Sequence, residues 1–133
     1  MINTLIHSTT DTIMTYINKF NLDSGFDTEE RCHINELLNT PEQAECSIAQ
    51  ATVTPGVTTQ LHAVKDTIER YVILQGRGQV YINHKAAEDV LPGDTVIIPA
   101  GVAQKIANIG TEELVFLCIC TPRFEQKNYL KLE

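Results

Sequence analysis

The side chains best suited to chemistry fall in one stretch, Gln60, His62, Glu69 and Tyr71. In an extended strand, positions two apart face the same side. Thr58, Gln60, His62 and Val64 therefore share one face, and Glu69, Tyr71 and Ile73 share another on the next strand. If both faces turn inward, His62 meets Glu69. An imidazole beside a carboxylate can hold or pass a proton, and Tyr71 facing the same space can serve as a general acid. The remaining histidines, His7, His33 and His84, read as ordinary surface residues, His84 in a hairpin turn, and Glu29–Glu30–Arg31 reads as a solvated strand start. There is no Ser-His-Asp order, no phosphate loop and no basic stripe. Four cysteines occur without a CxxC pair. Cys118 and Cys120 share one strand face without being placed to bridge each other, and with Cys32 and Cys46 they read as buried, reduced structural thiols.

The elements that must position these groups are short and β-rich. From about residue 29, β-branched and alternating runs are broken by Gly, Pro and Asn at intervals of about ten residues, the pattern of an all-β domain. Strands are predicted over Glu29–Leu38, Glu45–Thr54, Thr58–Ala63, Glu69–Leu74, Gly78–Asn83, Ala87–Leu91, Thr95–Ile98, Ala103–Asn108 and Leu114–Thr121. Turn chemistry separates them at Pro55–Gly56, Gln75–Gly78, Asn83–His84, Pro92–Asp94 and Pro99–Gly101. A sequential antiparallel barrel or sandwich follows. Over residues 9–20, Ile13, Tyr16, Ile17 and Phe20 have helical spacing behind the N-cap candidates Thr9, Thr10 and Asp11, so this segment is either a short helix or a strand swapped to a neighbouring subunit. The tail from residue 122 is polar, with Phe124, Tyr129 and Leu130 as anchors on the barrel. The organisation is thus an extension over 1–25, a barrel over 26–121 and a packed tail over 122–133.

A chain of 133 residues is about one domain with one core. Asp and Glu number 17 against 10 Lys and Arg, a net charge of −7, which argues against nucleic acid and anionic membrane surfaces as partners. The N-terminus lacks a basic region followed by an apolar run, so no signal peptide is read and a cytoplasmic protein is expected.

Residues 56–76 and 93–108 resemble the two motifs of the cupin superfamily, G(X)5HXH(X)4E(X)6G and G(X)5PXG(X)2H(X)3N. Gly56, His62, Glu69 and Gly76 match the first, and Gly93, Pro99, Gly101 and Asn108 the second. The flanks FDTEERCHINELLN and LVFLCICTPRF are similar to those of small one-domain cupins of the mannose-6-phosphate-isomerase-like kind. The resemblance implies a double-stranded β-helix, or jelly-roll barrel, a homodimer that uses the N-terminal residues, and a ligand site in the barrel. In the family, the positions of His62 and Glu69 bind a divalent metal with two further histidines. Here those two histidines are Val64 and Gln104. The implied metal set is therefore His62, Glu69 and Gln104, with Gln60 as a compensating ligand on the inward face, suited to zinc, nickel, manganese or iron held loosely. Two readings follow. One is a metal-free pocket that binds a small polar ligand, a sugar or a carboxylate, through Gln60, His62 and Gln104. The other is a metal-dependent isomerase, epimerase or lyase acting on a sugar-like or keto-acid substrate, with Glu69 or Tyr71 moving the proton.

Overall fold

The computed structural model describes residues 16–133, and its architecture follows from strands that bury every second side chain. Among the described residues eleven strands form: β1 Phe26–Asp27, β2 His33–Leu38, β3 Ser47–Val53, β4 His62–Val64, β5 Ile68–Gln75, β6 Gly78–Ile82, β7 Glu88–Val90, β8 Thr95–Ile98, β9 Gln104–Asn108, β10 Leu114–Thr121 and β11 Tyr129–Lys131. They make two sheets, one in the order β1-β2-β3-β10-β5-β8 and one in the order β11-β4-β9-β6-β7, with every pairing antiparallel. This is the expected jelly-roll barrel.

Between the sheets lie Val53, Ile73, Ile106, Leu114 and Phe116, each at most 2% exposed. The alternation is clean on β5, where Glu69, Tyr71 and Ile73 are buried while Ile68, Arg70 and Val72 are not. It continues on the neighbouring strand β10, whose residues Leu114, Phe116, Cys118 and Cys120 form the adjacent inward row.

The motif glycines and Asn108 hold corners. Gly76 ends β5 at φ +89°, and a Cβ there would sit 2.7 Å from the Glu113 carbonyl oxygen, so the β5–β6 corner passes too close to the chain before β10 for any side chain. Gly56, Gly93 and Gly101 also have positive φ. The Asn108 side chain donates to the Val53 and Glu112 carbonyls and accepts from the Gly110 N–H, which ties the end of β3 to the turn before β10.

The ends of the chain differ from the sequence reading. Thr9, Thr10, Asp11 and Ile13 lie outside the described residues. Tyr16–Asn21 has no helix or strand, and only a 3-10 turn at Leu22–Ser24 follows. The first long strand begins at His33 rather than Glu29, because Arg31 takes φ +69° inside a turn closed by Thr28 N–H to the Cys32 carbonyl. Thr58–Leu61 contributes a single bridge, Thr58 to Ala107, and the strand proper starts at His62. The tail goes further than anchoring, since Tyr129–Lys131 adds a strand whose residues pair with Val64, Ala63 and His62.

Candidate functional site

His62 and Gln104 are register partners on β4 and β9, while Glu69 and Tyr71 reach in from β5 on the opposite sheet. All four are buried, Gln104 completely. They form one hydrogen-bonded chain with Gln104 at its centre. The Tyr71 hydroxyl donates to Gln104 Oε1 at 2.7 Å. Gln104 Nε2 then donates to Glu69 Oε1 and, at 3.1 Å, to His62 Nε2. His62 Nδ1 lies 2.7 Å from the Gln60 carbonyl, so the consistent tautomer carries its proton on Nδ1 and leaves Nε2 as the acceptor.

The sequence reading offers Gln104 as an oxygen ligand beside His62 and Glu69. In the structure its oxygen is turned to Tyr71, and the atom between His62 and Glu69 is the amide nitrogen, a donor. Val64, at the other departed position, is buried and presents methyl groups. The three-imidazole, one-carboxylate metal shell implied by the resemblance therefore does not fit these residues. The two protons of the Gln104 amide occupy the role a cation would have, holding an imidazole and a carboxylate together.

Gln60 is buried, but its side chain serves the chain end: Nε2 donates to the Glu133 carbonyl at 3.3 Å and Oε1 accepts from the Tyr129 hydroxyl at 3.2 Å. It touches His62 through its backbone carbonyl.

Four site residues were not singled out for the site by the sequence reading. Glu30 is not a solvated strand start: the Thr28–Cys32 turn aims it inward, with its side chain 17% exposed and Oε2 3.4 Å from His62 Nδ1. Burial raises its pKa, with Glu69 adding to the rise and His62 opposing it. Tyr129 stacks on His62, with ring centroids 4.9 Å apart and planes 15° from parallel, and burial followed by the nearby Glu30 raises its pKa. Cys118 and Cys120 face Glu69 Oε2 at 3.1 and 3.8 Å. The hydrogen bond between the two thiols, then burial and Glu69, holds the Cys118 thiol well above the usual range. A signal for the cysteines was present in their spacing of two on one strand, but nothing in the spacing says which groups that face meets.

The other candidates are peripheral. His33 is exposed and pairs with Asp27 at 2.8 Å, and His84 sits in the β6–β7 turn at φ +58°. His7 lies outside the described residues. Cys32 is buried, and burial pushes its thiol up to about 12.

The site residues line a cavity of about 520 Å³, a size suited to a small molecule. Its wall carries Glu30, His62, Glu69, Cys118, Cys120 and Tyr129 together with the aromatic rings of Phe26, Phe116 and Phe124. Among the described residues, its charged lining is one-sided: Asp27, Glu29, Glu30, Glu36 and Glu69 against Lys131, besides His62.

Comparison with known proteins agrees with this architecture. A family profile described as the cupin domain matches residues 49–120. An uncharacterized protein of Methanocaldococcus jannaschii is 36% identical over 108 residues, which span 80% of this chain and 86% of that protein. Among solved structures, a predicted oxalate decarboxylase from Thermotoga maritima superposes with a TM-score of 0.63 at 26% identity, covering 68% of this chain and 80% of that one. An uncharacterized conserved protein with a double-stranded β-helix domain from Klebsiella pneumoniae reaches a TM-score of 0.72 at 16% identity, covering 90% of this chain and 99% of that one.

Proposed function

The chain belongs to the cupin domain family, and we propose that its barrel binds a small, uncharged, hydroxyl-rich molecule of the sugar type. The observation that carries this reading is the charge of the cavity: among the described residues, five carboxylates line it against one lysine, with no arginine. A carboxylate or phosphate ligand entering there loses water and meets repulsion. A polyol meets acceptors at Glu30 and Glu69 for its hydroxyls, and aromatic faces at Phe26 and Phe124 for its carbons. His62 and Gln104 supply no free polar atom of their own, since each is committed to the buried hydrogen-bond chain. Their role in this reading is to hold Glu69 and the ring of Tyr129 in place.

The Thermotoga maritima neighbour is described as a predicted oxalate decarboxylase, and oxalate is a dianion. That name does not transfer easily to an acidic cavity. The second reading keeps the proton transfer without the family metal shell, which these residues do not fit: an isomerase, epimerase or lyase acting on a sugar-like or keto-acid substrate, resting on a different observation. Glu69 ends the buried hydrogen-bonded chain that runs from Tyr71 through Gln104, and it lines the cavity, where a carboxylate can serve in general acid–base chemistry.

One screen separates the two readings. Metal-free protein is melted with neutral sugars and polyols and with matched sugar acids, keto acids and sugar phosphates, and the series is repeated with zinc or nickel and with EDTA. Under the binding reading, a neutral compound at a hundred times its Kd stabilises the metal-free protein by about 2.7 kcal/mol, and EDTA does not change that. Stabilisation by acids alone overturns it in favour of the second reading, and stabilisation by neutral compounds only with metal present overturns it as well.

We also propose that the protein is a cytoplasmic homodimer joined through its N-terminal segment. Among the described residues, no helix is long and apolar enough to cross a membrane. Tyr16, Ile17, Phe20 and Leu22 are each at least 57% exposed. A run of large apolar side chains in water is a surface that association would cover. Light scattering of the full chain should return twice the 14.8 kDa chain mass, and a variant starting at residue 26 should return a monomer; a monomeric full chain contradicts the proposal.

A further inference from the structure

We propose that Glu69, Cys118 and Cys120 form a binding site for a thiophilic divalent cation, zinc above all, on the side of Glu69 away from Gln104. This goes beyond the ligand reading and shares only Glu69 with it. The three ligand atoms already have the spacing such an ion requires. Cys118 Sγ and Cys120 Sγ are 3.8 Å apart, and Glu69 Oε2 is 3.1 Å from the first and 3.8 Å from the second. A tetrahedral zinc with Zn–S of about 2.3 Å and Zn–O of about 2.0 Å needs S–S edges of about 3.8 Å and S–O edges of about 3.5 Å. The observed triangle matches the first edge and brackets the second, so one face of the coordination tetrahedron is in place with little movement.

The fold explains why. Cys120 and Glu69 are register partners on β10 and β5, and Cys118 is the next inward residue on β10. Glu69 Oε1 is held by Gln104, which leaves Oε2 aimed at the thiols and orients the carboxylate as an outer-shell partner does for a ligating group. The site belongs to borderline ions, because two thiolates favour zinc or iron(II) over magnesium or manganese. Each thiol gives its proton to solvent as the metal–sulfur bond forms. All three residues line the cavity, so three protein ligands leave the fourth position facing it, the arrangement of zinc sites that take up an exchangeable water or ligand. The divalent ion lost with Val64 and Gln104 would thus return on the other side of the same glutamate, with sulfur in place of imidazole.

The test uses the full-length, reduced protein, stripped with EDTA, desalted and titrated with cobalt(II). One equivalent should produce a sulfur-to-cobalt charge-transfer band in the near ultraviolet and the strong visible bands of tetrahedral cobalt, both displaced by one equivalent of zinc. Cys118→Ser with Cys120→Ser should abolish the charge-transfer band, Glu69→Gln should weaken cobalt binding, and His62→Ala should retain the band. Circular dichroism checks that each variant is folded. As a second measurement on the unmutated chain, zinc should slow the alkylation of Cys118, the more accessible of the two thiols, relative to the metal-free protein and leave that of Cys46 unchanged, as mapped by mass spectrometry. A pale octahedral spectrum without charge transfer, a band that survives in the double serine variant, or an absence of zinc protection overturns the proposal.

Discussion

Replacing Gln104 by Leu should cost the protein about 3–6 kcal/mol, although the two side chains are similar in size and the position is fully buried. The loss comes from what the amide leaves behind. Tyr71 Oη loses its acceptor, while Glu69 Oε1 and His62 Nε2 lose their donor, all inside the barrel. Each buried polar group stranded in this way costs about 1–3 kcal/mol, and more when charged. Against a total of about 5–15 kcal/mol for a domain, this is a large fraction, and the melting temperature should fall by more than about 10 °C. Thermal and urea unfolding check the value. Gln104→Glu is the informative companion, since a carboxyl that shares a proton with Glu69 can keep part of the chain and should lie between the parent and the Leu variant. A Leu variant that melts within a degree or two of the parent would mean that the three groups find other partners and that Gln104 is not their hub.

How much of this was readable beforehand depends on how far each inference had to travel. Gly76 and Gly93 read as corners because corner geometry is local: a positive φ, or at Gly76 a missing Cβ, is demanded by a few neighbouring residues. The alternation that turns Glu69 and Tyr71 inward is also local, since a period of two follows from strand geometry alone. What a face meets is not local. Glu30 enters the site through a turn with Arg31 at positive φ, a conformation that its sequence does not signal. Tyr129 arrives from the tail as an added strand, and its stacking on His62 depends on the register between β11 and β4. Cys118 and Cys120 were placed on one face correctly, yet their neighbour across the sheet, Glu69, is set by the β5–β10 register. Gln104 is subtler still: its position was evident, but which end of its amide faces His62 is decided by Tyr71.

That last point makes the family metal shell testable by restoring it. Val64→His together with Gln104→His places two imidazoles beside His62 and Glu69, on the inward faces of β4 and β9. Gln104→His also removes the amide donor that stands between His62 and Glu69. Nickel affinity should then rise on the order of 100-fold or more, about 2.7 kcal/mol of binding free energy, because a borderline ion prefers imidazole to an amide. The measurement belongs in a Cys118→Ser, Cys120→Ser background, so that thiolate binding at the neighbouring face of Glu69 cannot supply the gain. The larger ring at buried Val64 should lower stability by about 1–3 kcal/mol through overpacking, and bound nickel should restore it. If the quadruple variant folds but binds nickel no more tightly than the double serine parent, then positions 62, 64, 69 and 104 do not converge on one point, and the barrel holds His62 and Glu69 at a separation that no single ion can span.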